Sequence, residues 1–156
     1  MDRKTGWMYA ACGLIVTACA AMFAFGLIAA QEMILVEPLM AAHAAGIYGY
    51  CIGAALPCMA AVAMLGMVVR EIGHDRAFST QNAKWMRGIA AMAAAECVYI
   101  IAGLIGWSAV GLMHPGVVLV ALSLVMFGAG VGILAWALSR LILRACAIQE
   151  ENDLTI

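Results

Sequence analysis

Residues 70–88 read REIGHDRAFSTQNAKWMRG and form the one long polar interruption in an otherwise apolar sequence. They hold half of the eight Lys and Arg residues of the chain, namely Arg70, Arg76, Lys84 and Arg87. A long apolar run flanks them on each side. Basic residues concentrated between two membrane-spanning segments mark the cytoplasmic side of a membrane protein. We therefore place this stretch in the cytoplasm.

The composition of the whole chain indicates an integral membrane protein. Of the 156 residues, 67% are hydrophobic and 11% are charged, and the mean hydropathy is +1.03. The apolar runs exceed the roughly 18 residues that signal a spanning helix. A net charge of -1 gives no basis for direct nucleic-acid binding, which needs a dense basic face. The six cysteines lie in apolar runs or in the C-terminal segment, and we expect free thiols.

The apolar pattern predicts an all-α polytopic membrane protein of one domain, residues 1–156, with four transmembrane helices. The spans are expected at about residues 7–30, 47–69, 86–107 and 117–138. Residues 70–85 then form a cytoplasmic loop, and residues 139–156 extend the fourth helix into the cytoplasm and end in an acidic tail. The other basic residues lie before the first span or after the fourth: Arg3, Lys4, Arg140 and Arg144. Both termini are therefore predicted to be cytoplasmic.

Local signals refine the segments on the cytoplasmic side. Ser79 is a good N-cap for a helix that begins at Thr80. After the fourth span, the spacing of the apolar residues continues the helix to about residue 148, since they fall on one face while Arg140 and Arg144 fall on another. These apolar residues are Leu138, Leu141, Ile142, Ala145 and Ile148.

Two stretches, AFSTQNAKWMRGIA at residues 77–90 and ENDLTI at residues 151–156, resemble domain-of-unknown-function family 2975, the YoaS-like bacterial membrane proteins. The shared features of the first stretch are Phe78, Ser79, Asn82 and Ile89. The resemblance implies a four-span plasma-membrane protein without an established biochemical activity. It also implies a small cytosolic helix-turn-helix regulator as a candidate partner, because family members are often encoded beside one.

Glu96 is the one ionisable residue that the predicted topology places near the middle of the bilayer. An ionised carboxylate at that depth is very unfavourable, so we expect a protonated acid. It would share its proton with a hydroxyl or a carbonyl group, and Thr17 lies at a similar depth on the first span. Two hypotheses remain open for Glu96, a proton or cation site and a hydrogen-bonded strut between helices.

Other residues that could bind ligands have simpler interpretations. The thiols of Cys19, Cys58 and Cys97 with Glu96 could form a soft-metal site, but cysteine in a span usually acts as a small apolar residue. The outer residues with metal-binding side chains lack close spacing and are expected to be solvated: Glu32, Glu37, His43 and His114. No histidine lies within a span to bind haem. We expect no metal and no cofactor.

Two pairs of glycines four residues apart allow close helix packing, either within the chain or in a homodimer. They are Gly49 with Gly53 and Gly128 with Gly132. No nucleophile elbow, phosphate loop or His-Glu-x-x-His sequence is present, so we do not expect an enzyme.

The favoured function is that of an interaction or signalling protein, whose cytoplasmic face binds a soluble partner. The residues predicted for partner binding or tail docking are Arg76, Phe78, Ser79, Asn82, Lys84, Arg87, Glu151, Asp153, Leu154 and Ile156. The alternative is a small proton-linked transporter or channel that uses Glu96 as its titrating group.

Reporter fusions test the predicted topology. A reporter that is active only outside the cytoplasm should be active when fused after Met40 and inactive when fused after Thr80, because the basic residues around Thr80 stay inside. Activity at Thr80 would overturn the whole arrangement.

Overall fold

A computed structural model describes residues 3–74 and 76–153, with side chains described for residues 6–74 and 76–151. The described chain forms five helices: α1 (Arg3–Val36), α2 (Pro38–Ala42), α3 (Ala44–Gly73), α4 (Thr80–Ala109) and α5 (Pro115–Asp153). Four of them, all except α2, are long and apolar enough to cross a membrane. The prediction of an all-helical chain with four candidate spans is confirmed.

Each long helix extends past the span predicted for it. Helix α1 contains 34 residues and α5 contains 39. At 1.5 Å per residue these helices are about 51 Å and 58 Å long, whereas the hydrocarbon core of a bilayer is about 30 Å thick. The difference arises because apolarity limits the span, while backbone hydrogen bonding carries the helix on into polar residues.

The long helices pack as an open row in the order α1, α3, α4 and α5. Helix α1 packs on α3, α3 packs on α4, and α4 packs on α5. Within the described residues, no Cα atom of α1 comes within 8 Å of α4 or α5, and none of α3 comes within 8 Å of α5. Each long helix therefore contacts only its neighbours in chain order.

Successive helices of the row run in opposite directions, which collects the basic residues at one end of the molecule. The start of α1, the connection between α3 and α4, and the last part of α5 all lie at this basic end. The most buried apolar cluster lies there too and joins three helices through Val68, Ile89 and Ala135. The opposite end carries α2 and the connection between α4 and α5.

Aromatic residues lock α3 to α4 toward the opposite end. The rings of Tyr50 and Tyr99 stack with centroids 4.9 Å apart and an angle of 9° between their planes. Each hydroxyl donates to a backbone carbonyl of the facing helix, Tyr50 to Ile100 (3.3 Å) and Tyr99 to the carbonyl of Tyr50 (3.1 Å). Trp107 meets the Tyr50 ring edge-on at 6.2 Å. The two helices are thus held by stacking and by hydrogen bonds together.

Glycines make this close contact possible. A Cβ atom at Gly53 would collide with the phenol of Tyr99, and one at Gly103 would collide with the ring of Tyr50. On the other side of α4, a Cβ at Gly128 would lie 3.0 Å from the Cys97 sulfur. Close packing within the chain therefore uses these glycines, whereas Gly49 faces open space.

Replacing Gly53 and Gly49 by alanine should separate packing from helix propensity. Gly53→Ala must displace Tyr99, and overpacking of this kind lowers stability by about 1–3 kcal/mol. Gly49→Ala meets no atom and should be neutral or stabilising by up to about 1 kcal/mol. Thermal unfolding of the two purified variants in detergent measures the difference. Equal melting temperatures would contradict the packing described for Tyr99.

Candidate functional site

The connection between α3 and α4 is a short, internally bonded turn. The His74 ring closes the last turn of α3, since its Nδ1 lies 2.8 Å from the carbonyl of Arg70 and must donate the hydrogen. Ser79 is extended (φ -126°, ψ 149°), and its Oγ accepts from the backbone N–H of Asn82 at 3.1 Å. The predicted N-cap and the predicted start of the helix at Thr80 are confirmed.

Asn82 fixes this turn from inside. Its Nδ2 donates to the carbonyl of Ala77 at 2.9 Å, and the residue is only 1% exposed. Its Oδ1 is buried and has no hydrogen-bond partner among the described residues. Because an amide that ties a turn to a helix limits the conformations of the turn, the residues between Ala77 and Asn82 are held in one arrangement.

A second buried hydroxyl fixes the neighbouring helix to the same place. Ser139 of α5 is 1% exposed, and its Oγ donates to the carbonyl of Ala83 at 2.8 Å. Ala83 directly follows Asn82 and is equally buried. The first turn of α4 is therefore bonded on one side to the connection and on the other side to α5.

The polar residues of this region point outward and form a surface with one large apolar side chain. Arg76, Lys84 and Arg87 are exposed, and Phe78 is 62% exposed. Lys84 and Arg87 fall on the face of α4 that points away from the buried Asn82. We call Arg76, Phe78, Lys84 and Arg87 the basic-end surface.

The structure divides the residues predicted for partner binding into three groups. The four residues of the basic-end surface are accessible. Ser79 and Asn82 support that surface as the cap and the internal bond, and Asn82 is too buried to touch a partner. Of the predicted tail residues, Glu151 is exposed on α5 and Asp153 ends that helix, while Leu154 and Ile156 lie outside the described residues.

Glu96 lies on α4 between the side that packs on α3 and the side that packs on α5. It is partly exposed, and its Oε2 atom is buried without a hydrogen-bond partner among the described residues. The expected Thr17 partner is not formed, because α1 does not approach α4 and the Thr17 hydroxyl donates to Gly13 in its own helix at 2.7 Å. The strut hypothesis therefore lacks the bond that it was built on.

The other candidate ligands are dispersed. The thiols of Cys19 and Cys58 lie within hydrogen-bonding reach of each other across α1 and α3. The Cys97 thiol instead faces α5 and lies 3.5 Å from the Val125 carbonyl. His43 and His114 contact backbone groups near their own positions. Among the described residues, no three His, Cys, Asp or Glu side chains are grouped so that they could hold a metal ion.

Ser139 and the tyrosine pair were not singled out from the sequence. A serine in an apolar helix, one turn from a small residue such as Ala135, is a weak signal for a close helix contact. The matching acceptor on α4 is a backbone carbonyl, which has no signature in the sequence.

The fold defines the class of this protein, a four-span α-helical membrane protein with its basic residues gathered at one end. The chain belongs to the family described as "Protein of unknown function (DUF2975)", which it matches over residues 3–156. The family resemblance drawn from residues 77–90 and 151–156 is thereby confirmed. Neither a curated protein nor a solved structure matches the chain.

The Ser139 hydrogen bond can be tested against a serine of the same helix. Ser139→Ala removes a buried bond between α5 and α4 and should destabilise the protein by about 0.5–2 kcal/mol. Ser123→Ala removes a bond of 2.8 Å to Leu119 within the same helix, at an exposed position, and should have almost no effect. Unfolding in detergent, followed by tryptophan fluorescence, measures both. A Ser139→Ala variant as stable as the wild type would show that this bond does not hold the helices.

Proposed function

We propose that this chain is a bacterial plasma-membrane protein of the regulatory class, whose basic end faces the cytoplasm and binds a soluble protein. The observation that carries the proposal is the exposure of Phe78 among three exposed basic residues on a turn that is bonded from inside. Aromatic residues and arginine are enriched in protein interfaces, where they supply much of the binding energy. The first candidate partner is a small helix-turn-helix regulator, which the family resemblance suggests.

The internal bonds of the turn favour binding. A flexible loop loses conformational entropy when it binds, whereas a turn that is already fixed loses little. Asn82 and Ser79 hold the backbone on both sides of Phe78 before any partner arrives. Phe78 is therefore presented to a partner in a position that the chain itself sets.

The acidic tail is the second part of the proposed interface. Glu150 and Glu151 are exposed near the end of α5, and Asp153 is its last residue. In the proposal, the tail and the partner compete, because the acidic residues match the basic-end surface as well as a basic DNA-binding protein. Exposed ion pairs contribute only about 0–1 kcal/mol each. Leu154 and Ile156 must then supply much of the affinity by apolar burial.

The test is affinity capture from native membranes with a tag at the N-terminus, which leaves the tail free. Wild-type protein should retain a specific DNA-binding protein, identified by mass spectrometry, and Phe78→Ala should reduce its recovery on the order of tenfold, as expected for loss of an interface aromatic. Phe25→Ala is the matched control, since Phe25 is 73% exposed on α1, away from the basic-end surface. Equal recovery with both variants would refute the role of the basic-end surface.

Variants of the tail separate its role from that of Phe78. Removal of residues 151–156 should abolish capture and leave membrane insertion unchanged, and Leu154→Asp should weaken capture more than Glu150→Gln. Normal capture by the truncated protein would remove the tail from the proposal and leave the basic-end surface untouched.

A second candidate function is supported by a separate observation, the buried Oε2 of Glu96 without a hydrogen-bond partner among the described residues. A carboxyl group in the middle of a span, with an unused oxygen, is suited to take up a proton or a small cation. In this alternative, the protein is a small proton-linked transporter or channel.

Glu96→Gln separates the two candidate functions. Glutamine is close to a protonated acid in shape and hydrogen bonding, so the variant should fold and insert as the wild type does. Proton uptake into vesicles that contain purified protein is the measurement, with empty vesicles as the control. A wild-type flux that Gln abolishes would favour transport, and capture of a regulator by Glu96→Gln at the wild-type level would favour binding.

A further inference from the structure

Helix α5 carries an apolar stripe that no described helix covers. Leu138, Leu141, Ala145 and Ile148 follow one another at intervals of three, four and three residues. Leu141 is 59% exposed and Ile148 is 60% exposed. Alternation of three and four residues is the heptad pattern by which two helices pack along a continuous seam.

The same pattern continues into the apolar part of α5. Val131 and Leu134 extend it toward the start of the helix, and both are exposed. The residues that contact α4 fall on a different side, roughly a third of a turn around the helix, where Gly132 and Ser139 lie. Helix α5 therefore carries two seams, and the chain itself uses only one of them.

The end of the stripe projects beyond the neighbouring helix. The bond between Ser139 and Ala83 sets the level of the two antiparallel helices. Since α4 begins at Thr80, three residues before Ala83, its first residue is level with Ile142. The rest of α5, up to Asp153, extends about 16 Å farther at 1.5 Å per residue.

Lipid does not cover this projecting end. Lys84 and Arg87 of α4 are exposed and lie on the membrane side of the level of Thr80, so the acyl chains end before Ile148. An apolar stripe that leaves the bilayer on a straight helix meets water unless protein covers it. Such exposed apolar surface marks an interaction site.

We infer that this stripe is the interface of a parallel homodimer, in which α5 packs along α5 of a second copy. Two copies inserted in the same direction bring the same residues to the same depth, so the stripe is its own complement. Leu141 and Ile148 meet their counterparts, and the small Ala145 between them allows close approach. Arg144 and Gln149 flank the seam and face each other between copies, which brings no like charges together.

This interface differs from the glycine pairs that the sequence offered for a dimer. Gly128 and Gly132 face α4 and are occupied within the chain. The dimer seam also leaves Phe78 and the rest of the basic-end surface uncovered. The inference stands independently of the proposed function.

Single cysteines in a variant without the six native cysteines test the seam in native membranes. With a mild oxidant, Leu141→Cys and Ile148→Cys should form disulfide-linked dimers on the order of tenfold faster than the controls, because a disulfide needs Cβ atoms about 4 Å apart. Arg140→Cys and Ala147→Cys are the controls, each one residue away and on another face of the helix. Equal rates at seam and control positions would overturn the inference.

A second measurement does not depend on replacing the native cysteines. The mass of the full-length protein in nanodiscs formed directly from membranes should correspond to two copies. Leu141→Asp combined with Ile148→Asp should give one copy, and Ala147→Asp should still give two. A single copy for the wild type, or absence of cross-linking together with labelling of a cysteine at 148 by a lipid-restricted reagent, would assign the stripe to the bilayer surface and refute the dimer.

Discussion

One buried polar junction holds the chain at the point where it turns back between its two halves. Asn82 bonds to Ala77, and the carbonyl of the next residue, Ala83, accepts from Ser139. These bonds join the connection, the first turn of α4 and the side of α5 within a few residues. Because polar groups that are shielded from water must find partners in protein, this junction sets both where the turn lies and how far α5 slides along α4.

The distribution of charge follows from that geometry. With the level of α4 and α5 set, the residues that follow Ser139 pass the start of α4 and carry Arg144 and the acidic tail with them. Arg76, Phe78, Lys84 and Arg87 lie beside the same junction on its outer side. The candidate interface and the projecting end of α5 therefore share one structural origin, while Glu96 lies deeper and does not depend on it.

The sequence predicted what depends on neighbours along the chain and missed what depends on neighbours in space. The four apolar helices, the Ser79 cap and the start of α4 at Thr80 follow from local patterns, and the structure has them. The pairing of Glu96 with Thr17 required α1 to approach α4, and depth in the bilayer carries no information about which helices are adjacent. Ser139 could not be matched because its acceptor is a carbonyl, which every residue has. Asn82 was assigned to the surface, although its side chain turns inward to the connection.

The open row has a consequence for how the protein is made. Each long helix packs on the one synthesised before it, and no contact waits for a helix that is two places later in the row. Most contacts are therefore formed between successive segments of the chain, and folding from local contacts is fast. A newly inserted helix finds its docking surface already in the membrane, so assembly can follow synthesis step by step. A ribosome that pauses between α3 and α4 would leave a finished hairpin rather than an unpaired span.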